Sequence, residues 1–177
     1  MRNKNMIVVY GQQGVGKTTI LNALLPITAN AVKVEGEDIG QVNPNKESEP
    51  EFLNLLWQNI ACLAKNYWEA GYETFLTGSF YDYLKDHDAF RKYVPKDATV
   101  FIVHLCASKP IRDTRRIRRD KPSSKNSRNW VDLHYPEDLA EGIAFKNDHY
   151  IKIITDNLSI TQTINKIKKA LPAIYSK

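Results

Sequence analysis

Met6-Ile-Val-Val-Tyr10 is an unbroken apolar run stopped by Gly11. A run this short and this rich in β-branched residues predicts a strand covered on both faces. Lys17 to about Leu25 follows at helical spacing and ends near Pro26. Ala31–Glu35 predicts a second short strand. Residues 36–50 are polar and carry Gly36, Gly40, Asn43, Pro44, Asn45 and Pro50, which predicts a loop. Beyond it Phe52, Leu56, Ile60, Leu63 and Tyr67 recur at helical intervals, marking a long amphipathic helix that ends at Gly71.

Glu73–Thr77 predicts a third strand, residues 80–93 a half-exposed helical stretch, and Thr99–Leu105 the strongest strand of the chain. A helix is expected from near Pro110 to about Asp120, and residues 120–135 are polar and loop-like. Pro136–Phe145 predicts a short helix and Tyr150–Ile154 a last strand. Ile160, Ile164, Ile167 and Leu171 give a final helix with an apolar stripe, and Ser159 is placed to cap it. Strands and helices alternate throughout. That pattern predicts parallel strands joined by right-handed crossovers in a three-layer α/β domain.

The first strand runs directly into Gly11-Gln12-Gln13-Gly14-Val15-Gly16-Lys17-Thr18, which matches G-x-x-x-x-G-K-[ST]. Glycines let the backbone turn successive N–H groups toward phosphate oxygens. The helix that follows presents its positive end to the same anion. Lys17 has the reach for the β- and γ-phosphates, and the Thr18 hydroxyl suits a Mg²⁺ ligand. Thr19 is the next polar group along, near an α-phosphate. The motif therefore predicts a nucleoside triphosphate and Mg²⁺ as the bound pair.

Further motifs carry a resemblance. Val34-Glu35-Gly36-Glu37-Asp38 ends the second predicted strand, and Leu105-Cys-Ala-Ser108 followed by Arg116-Ile-Arg-Arg119 ends the fourth. With the phosphate loop, these make the chain resemble the small P-loop kinases: gluconate kinase, shikimate kinase, adenylylsulfate kinase, chloramphenicol phosphotransferase and the nucleoside monophosphate kinases. The resemblance covers nearly the whole length. It implies one domain over residues 1–177, with a five-stranded parallel sheet in the order 2-3-1-4-5. It also implies a basic lid at about 116–135. It implies that Glu37, or its neighbour Asp38, faces the acceptor and takes or orients its proton. Arg116 and Arg119, three apart and so on one helical face, with Arg128 beyond them, would then stabilise the transferring phosphoryl group. The turn before the last helix would border the adenine. One departure stands out. Where relatives carry an acid at the end of the third strand, this chain has Phe75-Leu-Thr-Gly-Ser79. Asp82, or Thr18 with waters held by Ser79 or Thr77, is left to serve the metal.

Composition changes this picture in one place. The net charge is +5, but residues 109–128 hold nine basic and two acidic residues, against 16 basic and 18 acidic elsewhere. The excess thus belongs to the lid rather than to the whole surface. Confined there, it is explained by ATP alone, the donor that the resemblance implies, together with a small-molecule acceptor: a nucleoside or nucleotide, a sugar acid or an antibiotic. A polynucleotide 5′-hydroxyl is the second reading, since the same segment could neutralise backbone phosphates. A non-catalytic ATP-binding regulator is the third. No Asp-x-x-Gly switch or Asn-Lys-x-Asp motif points to a GTPase. No apolar run approaches the length of a membrane span. Cys62 and Cys106 lie in apolar segments and read as buried free thiols, which fits the cytoplasm. The four histidines lack metal-ligand spacing. Asn43, Tyr81 and Trp130 flank the expected acceptor pocket.

Overall fold

A parallel sheet of five strands forms the middle layer: β1 (Asn5–Tyr10), β2 (Ala31–Glu35), β3 (Thr74–Gly78), β4 (Thr99–Cys106) and β5 (His149–Ile154), in the order β2-β3-β1-β4-β5. The computed structural model describes residues 3–39, 42, 49–80, 83, 86–119, 123–135 and 148–176. β1 pairs with β3 on one side and β4 on the other, so the strand ends leading to Gly11 open between two neighbours. In an open parallel sheet, the crevice beyond the carboxyl ends at such a reversal of strand order is where ligands bind.

The continuous apolar run of β1 is explained by burial on both faces. Met6, Val8 and Tyr10 join one core with Leu56, Ile60, Phe75 and Ile102. Ile7 and Val9 join the other with Leu21, Leu24, Val103 and Ile167. The first face is covered by α3 (Pro50–Glu69) and α4 (His87–Arg91), the second by α1 (Lys17–Leu24) and α7 (Ile160–Ala170). α3 starts with Pro50 in its first turn, where a missing N–H does no harm, and Gly71 follows its end at φ +101°. α7 carries the expected cap: Ser159 Oγ accepts from the Gln162 N–H, and the Gln162 side chain accepts from the Ser159 N–H.

At the opposite end of the sheet from the crevice, Arg91 ties the approach to β4. Its guanidinium donates to the carbonyls of Val94, Pro95 and Ala98 at 3.0–3.1 Å. Asp148, just before β5, takes His87 Nε2 at 2.7 Å and Arg91 Nε at 3.1 Å. Burial alone would raise the Asp148 carboxyl, but the His87 hydrogen bond and the Arg91 charge hold it below its ordinary value.

Four expectations need correction. The 36–50 loop opens with one helical turn, α2 (Gly36–Ile39). Residues 120–135 are not simply a loop, because α6 (Lys125–His134) lies within them, capped by Ser124 accepting from the Ser127 N–H at 3.1 Å. No residue of α6 is buried, so it has no apolar stripe for periodicity to reveal. It is held instead by ion pairs to α5 (Lys109–Ile117). The helical stretch of 80–93 contracts, among the described residues, to α4. Cys106 is a buried free thiol, but Cys62 is exposed on the outer side of α3. The short helix expected at Pro136–Phe145, together with Asn43, Tyr81 and Asp82, lies outside the described residues.

Candidate functional site

β1 delivers the chain into the phosphate loop, and α1 begins at Lys17 directly after it. Gly16 occupies the N-cap position at φ +104° with no side-chain cap, so the first-turn N–H groups of α1 are not consumed by a capping side chain. Gly14 sits at φ +92°, and a Cβ there would meet the Arg112 carbonyl oxygen and Arg116 Cγ at 3.0 Å each. The loop is thus wrapped tightly against α5. Lys17 Nζ donates to the Gly11 carbonyl at 2.8 Å and the Gln12 carbonyl at 3.5 Å. The ammonium lies over its own loop, where a phosphate oxygen would replace those carbonyls.

A cavity of about 480 Å³ opens on this loop. Gln13, Lys17, Thr18, Glu37, Ser79 and Arg119 line it. Glu37 reaches it because β2 and β3 converge at Gly36. A Cβ on Gly36 would collide with the Ser79 carbonyl oxygen and approach Phe80 Cβ at 2.7 Å. Only glycine allows that contact, and α2 then turns Glu37 toward the loop while Asp38, also exposed, does not line the cavity.

Other oxygens lie at the end of β3, where the sequence has no acid. Thr18 Oγ1 donates to Glu35 Oε2 at 2.8 Å. Glu35 is buried at the end of β2, and Lys33 Nζ donates to its Oε1 at 2.9 Å and to Asn22 Oδ1 at 2.8 Å. Glu35 lies beside Gly78 in the sheet register, one residue from Ser79. Ser79 takes an unusual φ of +58°, and its buried Oγ has no hydrogen-bond partner among the described residues. Strain and an unpaired hydroxyl at the rim of a cavity are features of functional sites. A threonine hydroxyl, a carboxylate and an orphaned serine hydroxyl form an all-oxygen set. That chemistry fits Mg²⁺, which keeps several waters and takes few protein ligands.

On the other side of the loop lies a second cavity of about 340 Å³, lined in part by Thr19, Arg115, Arg118, Thr155 and Leu158. Arg115 closes its floor. Its Nη1 donates to the Val15 carbonyl and to Thr155 Oγ1 at 3.0 Å, and its Nη2 to the Thr155 carbonyl at 2.9 Å. Arg115 therefore joins the phosphate loop to the turn before α7. The sequence offered no way to single it out from four neighbouring arginines.

The arginines separate sharply. Arg119 is exposed and lines both cavities. Arg116 does not share its face, because α5 ends at Ile117 and Arg119 lies beyond the helix. Arg116 is fully buried, with Nη2 donating to Asp113 at 2.7 Å and to Asp132 at 3.0–3.1 Å. Arg128 donates to the Ser123 carbonyl and pairs with Asp113 at 3.4 Å, turned toward α5 rather than the cavity. Asp132 also accepts from Lys109 at 2.8 Å and Arg112 at 3.2 Å. Burial pushes the Asp132 carboxyl up, but hydrogen bonds from Arg116, Lys109 and Arg112 override it and hold the group far below the usual carboxylate range. Much of the basic segment thus holds α6 against α5. Gln12 ties the far end of α6 to the phosphate loop, its Nε2 donating to the Tyr135 carbonyl at 2.9 Å.

Solved structures of low identity share this architecture. A sugar kinase from Janibacter sp. HTCC2649 superposes with a TM-score of 0.67 at 18% identity, covering 98% of this chain and 97% of its own. A gluconokinase from Sinorhizobium meliloti 1021 gives 0.63 at 14%, covering 98% and 94%. The chain has the fold of the small P-loop kinases. The tunicamycin resistance protein of Deinococcus radiodurans has the same P-loop kinase fold, with a TM-score of 0.62 at 15% identity and 96% of each chain covered. No family model and no curated protein matches the sequence. The P-loop kinase fold is therefore legible here through structure and motif, not through sequence kinship. No helix among the described residues is long and apolar enough to cross a membrane.

Proposed function

We propose that this chain is a kinase that transfers the γ-phosphate of ATP to a hydroxyl or phosphate oxygen of a small molecule. The observation that supports it is one cavity lined by Lys17, Thr18, Glu37, Ser79 and Arg119. It brings the phosphate loop, an exposed carboxylate and a lid arginine to one space. The donor's phosphates lie along Gly11–Thr19, with Lys17 leaving its carbonyl partners to bind β- and γ-oxygens. The adenosine moiety extends into the cavity beside Arg115 and Thr155. Thr18, steadied by Glu35, would hold the metal, with the Ser79 hydroxyl available beside it. Mg²⁺ supplies charge neutralisation at the β- and γ-phosphates when it is bound. Where the acceptor is a hydroxyl, Glu37 accepts its proton as the new oxygen–phosphorus bond forms and the bond to the β-phosphate oxygen breaks, releasing ADP. Arg119, rather than Arg116 or Arg128, spreads the charge of the transferring group.

The test is transfer of ³²P from γ-labelled ATP to a panel of nucleosides, nucleotides, sugar acids, antibiotics and a 5′-hydroxyl oligonucleotide. Transfer to a small acceptor, lost in Glu37→Gln while ATP binding survives, is the expected result. Transfer to the oligonucleotide alone would replace the small-molecule acceptor with a polynucleotide. ATP binding with no transfer to any acceptor would point to a nucleotide-binding regulator.

A further inference from the structure

The kinase reading does not account for the outer face of α6. Trp130 is 54% exposed there, and its indole is not used by either core. It is nonetheless rigidly built. His134 stacks on one indole face, with ring centroids 4.1 Å apart and planes within 22°. The His134 Nδ1–H donates to the Trp130 carbonyl at 2.8 Å, which fixes the imidazole on that face. Tyr135 meets the indole edge-on at 6.1 Å. The ensemble is anchored at two points, by Gln12 on the Tyr135 carbonyl and by Tyr83 Oη on the His134 carbonyl at 3.2 Å.

Position and charge decide what such a surface would meet. The Gln12 contact puts the end of α6 on the phosphate loop, and Trp130 lies about 8 Å further along the helix. The donor's ring has its own cavity on the far side, beside Thr155 and Leu158. The acceptor then enters the cavity that holds Glu37, whose lining includes Gln13, the neighbour of the residue that holds the end of α6. Arg118, Arg119 and Lys125, in the segment that leads to Trp130, are exposed, and none has an ion-pair partner among the described residues. The acid of α6, Asp132, is already committed to Lys109, Arg112 and Arg116. An exposed aromatic face in a basic segment, with Arg119 lining the phosphate-loop cavity, matches a flat π-system carrying negative charge. It is poorly suited to a ringless sugar acid, which has nothing to stack.

We infer that Trp130, backed by His134 and Tyr135, is a stacking platform for the acceptor, and that the acceptor carries a nucleobase. The inference rests on the kinase reading for the direction of approach. A free nucleoside or nucleotide and the 5′-terminal nucleotide of a strand share this chemistry.

The experiment follows Trp130 fluorescence in the full chain with ATP site occupancy held constant by ADP. Thymidine, thymidine monophosphate, a 5′-hydroxyl oligothymidylate and D-gluconate are titrated in turn. The same four are then assayed as acceptors of ³²P. Trp68 is buried and the part-buried Trp57 donates its Nε1–H to the Phe80 carbonyl, so the quenching assigned to Trp130 is the part that is lost in Trp130→Phe. Quenching by at least one thymine-bearing probe and not by gluconate is expected. Affinity for that probe should fall roughly ten- to a hundredfold in Trp130→Ala, the loss of one stacked base, and recover largely in Trp130→Phe. Leu133→Ala, on the same exposed surface, should change nothing. Preference for thymidine or its monophosphate over the strand would identify a free nucleoside or nucleotide, and the reverse a strand end. If no thymine-bearing probe quenches, or if Trp130→Ala leaves affinity unchanged, the platform is refuted. Phosphorylation of gluconate unaffected by Trp130→Ala would refute it while leaving the kinase reading intact. A dimer dissolved by Trp130→Ala, without ring binding, would reassign the face to self-association. Quenching with no transfer to any probe would leave the platform standing and count against the kinase.

Discussion

Glu35→Gln separates the metal reading of the site from a purely structural one. The glutamate accepts from Thr18 at 2.8 Å and from Lys33 at 2.9 Å, and only 5% of its side chain is exposed. Glutamine keeps the length and one acceptor, so Thr18 retains its partner. Its amide, however, turns donors toward the Lys33 ammonium. A hydrogen bond to a charged group is worth about 1.5–3 kcal/mol. Lys33 is 20% exposed and can re-solvate, which favours the lower end of that range, about 1.5–2 kcal/mol. At about 2–4 °C per kcal/mol for a chain of this size, the melting midpoint should drop by roughly 3–8 °C. The second consequence is independent of stability. Loss of an outer-shell carboxylate typically lowers metal affinity about 10- to 100-fold. Turnover titrated with Mg²⁺ at saturating ATP should therefore need that much more metal to reach half-maximum, with the plateau partly retained. The decisive comparison is Lys33→Met, which disturbs the same ion pair and leaves the carboxylate. It should lower the melting midpoint by a similar amount and leave the Mg²⁺ midpoint within about twofold. If both variants shift the metal requirement equally, or neither does, Glu35 is only a structural partner of Thr18.

Lys17→Ala should abolish turnover and shift the melting midpoint by no more than about 2 °C, since the Gly11 and Gln12 carbonyls it leaves lie in the solvent-open loop; unchanged turnover would end the kinase assignment. Arg119→Ala and Arg116→Ala should part company. The exposed Arg119 should lower kcat with the melting midpoint held, whereas the buried Arg116 should lose about 3 kcal/mol of stability by leaving Asp132 and Asp113 short of a cation. Asp132→Asn should destabilise to a similar degree, read by urea unfolding with an unchanged m-value. Because the folded-state carboxyl of Asp132 is depressed, its contribution is complete above the ordinary carboxylate range. It is lost only as pH falls below that range. Wild type should accordingly keep α6 docked at pH 4, where helix protection in hydrogen exchange would still be seen.

What could be read from the sequence follows from what holds each part together. β1, β4, α3 and α7 owe their stability to buried apolar side chains, and burial leaves a period in the sequence. The phosphate loop is legible for a different reason: close backbone approach to an anion demands glycines at fixed intervals. α6 owes its place to Asp132 and the cations around it, and charges a helix turn apart look the same whether they are paired or solvated. The same blindness hides the burial of Arg116. Its interval to Arg119 suggests a shared face only if the helix continues, and α5 stops at Ile117, leaving one arginine inside and the other outside. Glu35 and Glu37 show the limit from another direction. They differ by two positions and one glycine, yet one is buried against Thr18 and the other faces the cavity, because Gly36 lets β2 touch Ser79. The different placing of these two carboxylates is a product of the close approach at Gly36. On the proposed reading of the site, the acid absent from the end of β3 is supplied from the adjacent strand, where Glu35 aligns with Gly78. A site of this kind can therefore keep its chemistry while its sequence signature moves from one strand to the next.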